Sequence, residues 1–152
     1  MKRFMKYVRP YWPYFVIGPL CMIVEVVGEV VMPKLLSGII NQANAGTLTV
    51  ESSLGSMLLL ILTAVLMMAG GVGGAYFGAK ASVNFAADLR ADAYASVQKY
   101  SFANIDKFST GSLVTRLTND VTQLQNFVNM MLRMALRAPG MLVAALVMAI
   151  SL

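Results

Sequence analysis

The sequence has 152 residues, 58% of them hydrophobic and only 12% charged, with twelve Lys/Arg against seven Asp/Glu and no histidine. Soluble domains carry roughly 45–50% apolar and about 25% charged residues. This composition therefore excludes a disordered tail or a disulfide-rich or collagen-like scaffold, and it leaves too little polar surface to cover a soluble core.

A mean hydropathy of +0.69 points to a membrane protein. At about 20 apolar residues per helical span, the length allows two or three spans. The pI near 9.6 raises nucleic acid as a partner, but the basic residues flank apolar runs and form no patch with interleaved aromatics, so none is expected. The single cysteine, Cys21, can form no intramolecular disulfide. The lack of histidine removes the commonest metal ligand and general base, and no metal, cofactor or catalytic residue is expected in this chain.

Residues 1–13, MKRFMKYVRPYWP, mix Lys2, Arg3, Lys6 and Arg9 with aromatic rings. The apolar stretch that follows is too long for the core of a signal peptide and contains glutamates. Rings and cations in this order suit an interfacial helix. Residues 14–40 form the first span, interrupted by Glu25, Glu29 and Lys34. As a helix it extends about 40 Å, more than the ~30 Å hydrocarbon layer. Pro33 removes the bond to the Glu29 carbonyl, which predicts a local bend. Residues 41–53 are a short polar connector without a basic residue.

Ser56 to Ala79 is the cleanest span, with no charge. From Lys80 to Tyr100 the pattern becomes amphipathic, with Phe85, Leu89, Ala93, Val97 and Tyr100 at steps of three or four. No breaker separates the two stretches. One helix of about 45–50 residues, within residues 54–104, is predicted to leave the membrane. A turn region at 101–110 precedes SLVTRLTND, and a third helix is predicted over 120–152 with Asp120 as its N-cap. Its last fifteen residues are uncharged and make only about 22 Å of helix, which reads as a span cut short and the chain as a fragment. Lys and Arg number four before Tyr14, none in 41–53 and seven from Lys80 to Arg137. That distribution places the N-terminus and the whole Lys80–Arg137 region in the cytoplasm.

Glu25 and Glu29 share one face of the first helix. Carboxylates at that depth are expensive and face a bundle interior or a water-filled path. They either line a translocation pathway or pair with another helix or with Lys34. Gly70, Gly74 and Gly78 recur every four residues and allow close helix packing, within the bundle rather than at a dimer seam. Gly73 and Gly78 have the separation of a phosphate loop, but Ala79 stands where the lysine belongs. The twelve methionines are read mainly as packing. Asp88, Asp92, Asp106 and Asp120 lack the partners of a metal or acid–base site.

The stretch LRADAYASVQKYSF followed by FSTGSLVTRLTND resembles the first intracellular loop of ABC exporters, the type-1 transmembrane domain of ATP-binding-cassette transporters. The matching residues are Arg90, Val97-Gln98, Ser101-Phe102, Asp106-Lys107-Phe108, Thr110-Gly111, Leu113, Arg116-Leu117 and Asn119-Asp120. Ser112 stands where the family usually has Glu or Gln. YVRPYWPYF is similar to the family's elbow helix, and MPKLLSGIINQ to the outer end of its first span. The resemblance implies an all-α membrane domain, in part: elbow, spans 1 and 2 with a cytoplasmic extension, a coupling helix over 111–119, and the start of span 3.

It also implies that Gly111, Ser112, Leu113, Val114, Thr115, Arg116, Asn119 and Asp120 dock on nucleotide-binding domains, which hold ATP and Mg outside this chain. The remaining partners implied are the lipid bilayer, a second half-transporter and an amphiphilic small-molecule, lipid or peptide substrate, in a bacterial plasma membrane. No Walker A, signature or Walker B sequence is present, so the chain alone is no ATPase. Two alternatives stand beside this reading. CMIVEVVGEVVMPKLL is faintly similar to the first helix of the small multidrug resistance family, which would make Glu25 the proton carrier of an oligomeric drug transporter. A non-transporting membrane scaffold is the other.

Overall fold

The computed structural model describes residues 2–99 and 110–151, and every regular element among them is helical. Helix α1 (Lys2–Val8) passes through a 3-10 turn (Arg9–Tyr11) into α2 (Trp12–Asn44). Pro10 and Pro13 occupy first-turn positions, where the missing N–H would have no partner in any case. Helix α2 then continues through both Pro19 and Pro33.

The connector is tighter than the composition suggests. Helix α2 ends in a Schellman arrangement, with the Gly46 nitrogen on the Ala43 carbonyl at 3.1 Å and the Thr47 nitrogen on the Gln42 carbonyl at 3.1 Å. Gly46 has φ +65°, the left-handed conformation that closes this motif and that a glycine adopts without strain. Helix α3 (Val50–Val97) starts at once behind a reciprocal cap. The Ser52 amide donates to Thr49 Oγ1 at 3.3 Å, and the Thr49 amide donates to Ser52 Oγ at 3.1 Å. Its 48 residues match the single long helix read from the sequence, although it begins four residues before the expected residue 54.

The amphipathic stripe is real. Phe85 is buried and Leu89, Ala93 and Val97 are half-buried, while Tyr100 lies outside the described residues.

The third helical run differs from expectation. Helix α4 (Thr110–Thr115) leads through a π-helical turn (Arg116–Asp120) into α5 (Val121–Ser151) without a break. The backbone is helical at Thr115 and at Val121, so Asp120 is interior and caps nothing. The reason is local. After Gly111 the segment holds neither glycine nor proline, and Thr115, Thr118 and Thr122 each donate to the carbonyl four residues back at 2.7–2.9 Å. Such back-bonding bends a helix without ending it.

Helices α2 and α3 form an antiparallel hairpin, and α5 packs against both. The core is small. Met22, Val26, Ala81, Phe85, Ala86 and Val121 are its buried apolar residues, and Ser82 is the buried polar one among those described. Most Leu, Val and Ile side chains of the three long helices face outward. Three helical runs, Met5–Asn44, Val50–Val97 and Arg116–Ile150, are long and apolar enough to cross a bilayer. Outward apolar faces on such helices suit lipid and further helices, so this is an integral membrane bundle.

Candidate functional site

Two seams meet on α2. Along the first, α3 presents Gly70, Gly74 and Gly78, all buried. A Cβ on Gly70 would stand 2.8 Å from the Cys21 carbonyl oxygen and 3.1 Å from the Glu25 nitrogen. On Gly74 it would collide with Met22 and lie 3.2 Å from the Gly18 carbonyl. Only hydrogen at these positions lets the two backbones approach this closely. Gly78 differs, because it also faces α5, where a Cβ would stand 3.4 Å from Asn129 Oδ1. Gly71 makes room for the Glu25 carboxylate, whose carbon lies 3.3 Å from where its Cβ would be.

The second seam joins α2 to α5 through charge. Arg137 Nη1 lies 3.1 Å from Glu25 Oε1, and Nη2 donates to Glu29 Oε1 at 2.6 Å. Glu25 and Glu29 are one helical turn apart, so a single guanidinium fork spans both. Their side chains are 17% and 25% exposed and Arg137 is 35% exposed, which makes this an interior cluster rather than a surface pair. The second oxygen of each carboxylate is buried without a hydrogen-bond partner among the described residues. Among the described residues Lys34, the nearer candidate in sequence, makes no ion pair with either carboxylate.

The sequence groups Arg137 with the cytoplasmic cations; in the structure its guanidinium reaches the middle of α2, roughly 20–25 Å along the helix from Trp12. The signal was present, because two mid-span carboxylates require a counter-ion and α5 carries Arg133 and Arg137 one turn apart.

Beside the cluster lies a cleft of about 400 Å³ lined by Met22, Asn126, Asn129, Met130, Arg133, Met134 and Arg137. Asn129 Oδ1 is buried there without a partner among the described residues. A second cavity of about 430 Å³, between Val26, Glu29, Val30 and the Met141–Ala149 part of α5, is almost wholly apolar.

The end of the bundle where α1 meets α3 is held by polar contacts that the sequence alone did not indicate. Asp92 Oδ2 accepts from Lys6 Nζ at 2.7 Å and from Tyr7 Oη at 2.9 Å, which ties the short α1 to α3. Tyr7 meets Phe85 edge-on at 6.1 Å. Lys80 lies over the rings of Tyr14 and Tyr76 at 5.1 and 5.6 Å, and Tyr14 stacks on Phe77. Arg90 Nη2 donates to Thr122 Oγ1 at 3.0 Å and to Gln125 Oε1 at 3.4 Å, joining α3 to the start of α5.

The segment matched to the family's coupling helix falls on α4 and the π-helical turn. Gly111, Val114, Thr115, Arg116, Asn119 and Asp120 are exposed, and Ser112 is half-buried. The side chain of Leu113 and residues 100–109, including Ser101, Phe102, Asp106, Lys107 and Phe108, lie outside the described set. Among the described residues no three His, Cys, Asp or Glu side chains are grouped as a metal site would require.

Comparison with known proteins agrees with this architecture. The model of the ABC transporter transmembrane region matches residues 15–152. Over 99% of its length the chain is 31% identical to the ABC transporter ATP-binding protein YfiB of Bacillus subtilis, and it covers 26% of that protein. It is 30% identical to the ABC transporter ATP-binding protein exp8 of Streptococcus pneumoniae, over 83% of this chain and 21% of that one. A Mycobacterium bovis protein of the same description, Mb1304c, is 26% identical over 95% of this chain and 25% of its own. The chain thus spans about a quarter of the length of the curated relatives it matches. Three bilayer-length helices, an over-long second helix and a family match over nearly the whole chain lead to one conclusion: the chain belongs to the transmembrane-region family of ABC transporters.

Proposed function

We propose that this chain is the permease portion of an ATP-driven exporter, which relays the motion of nucleotide-binding domains into alternating access for an amphiphilic substrate. The observation that carries this reading is the unbroken passage from the exposed α4 segment, through the π-helical turn, into α5. A push on Gly111–Asp120 has no flexible joint to absorb it before it reaches the spans. π-Turns inside helices recur at functional sites, where they let a segment change its winding without breaking. In this reading Gly111, Ser112, Leu113, Val114, Thr115, Arg116, Asn119 and Asp120 contact the nucleotide-binding domains. Those domains supply ATP and Mg, and a second half-transporter completes the pathway.

Glu25 and Glu29 border that pathway, and the neighbouring cavities support this assignment. The N-terminus and the α4 end face the cytoplasm, in keeping with four basic residues before Tyr14 and none in the opposite connector. The family match over residues 15–152 favours this reading over a small proton-coupled transporter.

Replacing both Val114 and Arg116 by Ala in the full-length protein is expected to lower substrate-stimulated ATPase at least about tenfold while leaving basal hydrolysis in place. Unchanged stimulation would remove the relay.

A further inference from the structure

We propose that the cleft between α2 and α5 receives the head group of an anionic amphiphile, with Arg133 as the residue that takes its charge. The charges around the cleft are Glu25 and Glu29 on α2 and Arg133 and Arg137 on α5. They sum to zero but are not shared evenly. Arg137 holds both carboxylates, so Arg133 makes no ion pair or hydrogen bond among the described residues. It nevertheless lines the cleft, with its side-chain stem beside Gly78 at the α3–α5 contact. Arg133 is exposed on a helix long and apolar enough to span a membrane, where a lone guanidinium is costly, and an anion seated beside it lowers that cost.

The rest of the lining fits the same ligand. Asn129 has a buried amide oxygen without a partner among the described residues, and Asn126 stands one turn earlier. An asparagine amide both donates and accepts, so these two complete the hydrogen bonding of a carboxylate or phosphate that carries a hydroxyl or amino group. Met22, Met130 and Met134 supply an adaptable apolar wall for a chain of no fixed shape. About 400 Å³ accommodates a head group and the first part of its tail. A cation fits poorly, because the charged residues that line the cleft are Arg133 and Arg137 and neither carboxylate does.

Two carboxylates on a span would favour a cation if they were free, but the structure pairs each of them with the Arg137 guanidinium and leaves Arg133 facing the opening. The inference deepens the permease reading by naming a substrate class, and its test does not depend on ATP.

The full-length protein is placed in phosphatidylcholine nanodiscs and titrated with dansyl-undecanoic acid and with the corresponding uncharged alcohol, against empty nanodiscs. The acid is expected to bind about tenfold more tightly than the alcohol, Arg133→Gln to abolish that preference, and Arg133→Lys to keep most of it. Equal affinity for acid and alcohol overturns the proposal. So does an unchanged preference in Arg133→Gln, and so does a lost preference in a folded Arg133→Lys. If Arg133→Gln fails to fold, Arg133→Lys and Asn129→Leu decide, the latter expected to weaken the acid several-fold.

Replacing part of the phosphatidylcholine with phosphatidylglycerol separates two sources of the same chemistry. Competition identifies a bilayer lipid as the occupant, whereas no competition identifies a diffusible amphiphile; either outcome supports the site. Charge-selective binding with ATPase stimulation unaffected by Val114→Ala and Arg116→Ala would remove the relay and leave the site standing.

Discussion

The two seams on α2 hold their partners by opposite means. Against α3, contact is made by leaving side chains out: Gly18 faces Gly74 and Gly78, and Gly70 lies against the Cys21 and Glu25 backbone. Against α5, contact is made by adding charge, with two carboxylates on one guanidinium. The first seam is closest at Gly70 and Gly74, where an added Cβ would press on the backbone of α2. The second is directional and conditional, and it holds only while both signs are present. A helix pair that stays together and one that exchanges partners would be built in these two ways.

Breaking the charged seam gives the largest effect. Arg137→Gln strands two interior carboxylates and is expected to cost about 3 kcal/mol, the lower end for an uncompensated buried charge because the site is partly open. Guanidinium chloride or SDS titration of the protein in mixed micelles reads this. Adding Glu25→Gln and Glu29→Gln to the same chain should return most of the loss. A triple variant as unstable as the single one would show that Arg137 acts through packing instead.

The glycine seam comes next. Gly74→Ala is expected to cost about 2 kcal/mol, because Met22 and the Gly18 carbonyl occupy the space the methyl needs. Gly55→Ala, in the same helix with nothing within 4 Å of its Cβ, should stabilise by about 0.5–1 kcal/mol instead. If the two substitutions behaved alike, the close approach would not matter. Arg90→Ala removes the link from α3 to Thr122 and Gln125 and should cost about 1 kcal/mol. Hydrogen exchange at residues 121–125 should speed up before any global change. Smallest is Asp92→Asn. The Lys6–Asp92 pair is exposed, so only the docking of α1 should loosen, visible as faster proteolysis near Lys6 at low salt and no difference at high salt.

Helix identity and length were legible because they rest on periodicity and on the absence of breakers. The charge-free run into the Phe85–Val97 stripe predicts one long α3, and the structure contains it. The glycines were legible as small residues, and the structure brings Gly70 and Gly74 onto α2. Partnership was not legible. Whether Glu25 meets Lys34 nine residues away or Arg137 more than a hundred away depends on which helices lie side by side, which local pattern does not encode. The same holds for Lys6 with Asp92 and for Arg90 with Gln125. Asp120 failed for a different reason. A good capping residue promotes a helix start only where the preceding backbone is not helical, and here the threonine back-bonds carry the helix straight through it.

The position of Gly74 within α3 has a mechanical consequence. It lies 24 residues after Val50 and 23 before Val97, so the tight crossing with α2 divides a rod of about 72 Å into two nearly equal arms. A rigid rod that pivoted at that crossing would be a lever with nearly equal arms. A displacement of a few ångströms imposed at the Val97 end would then reappear at the Val50 end at nearly the same size and with reversed sign.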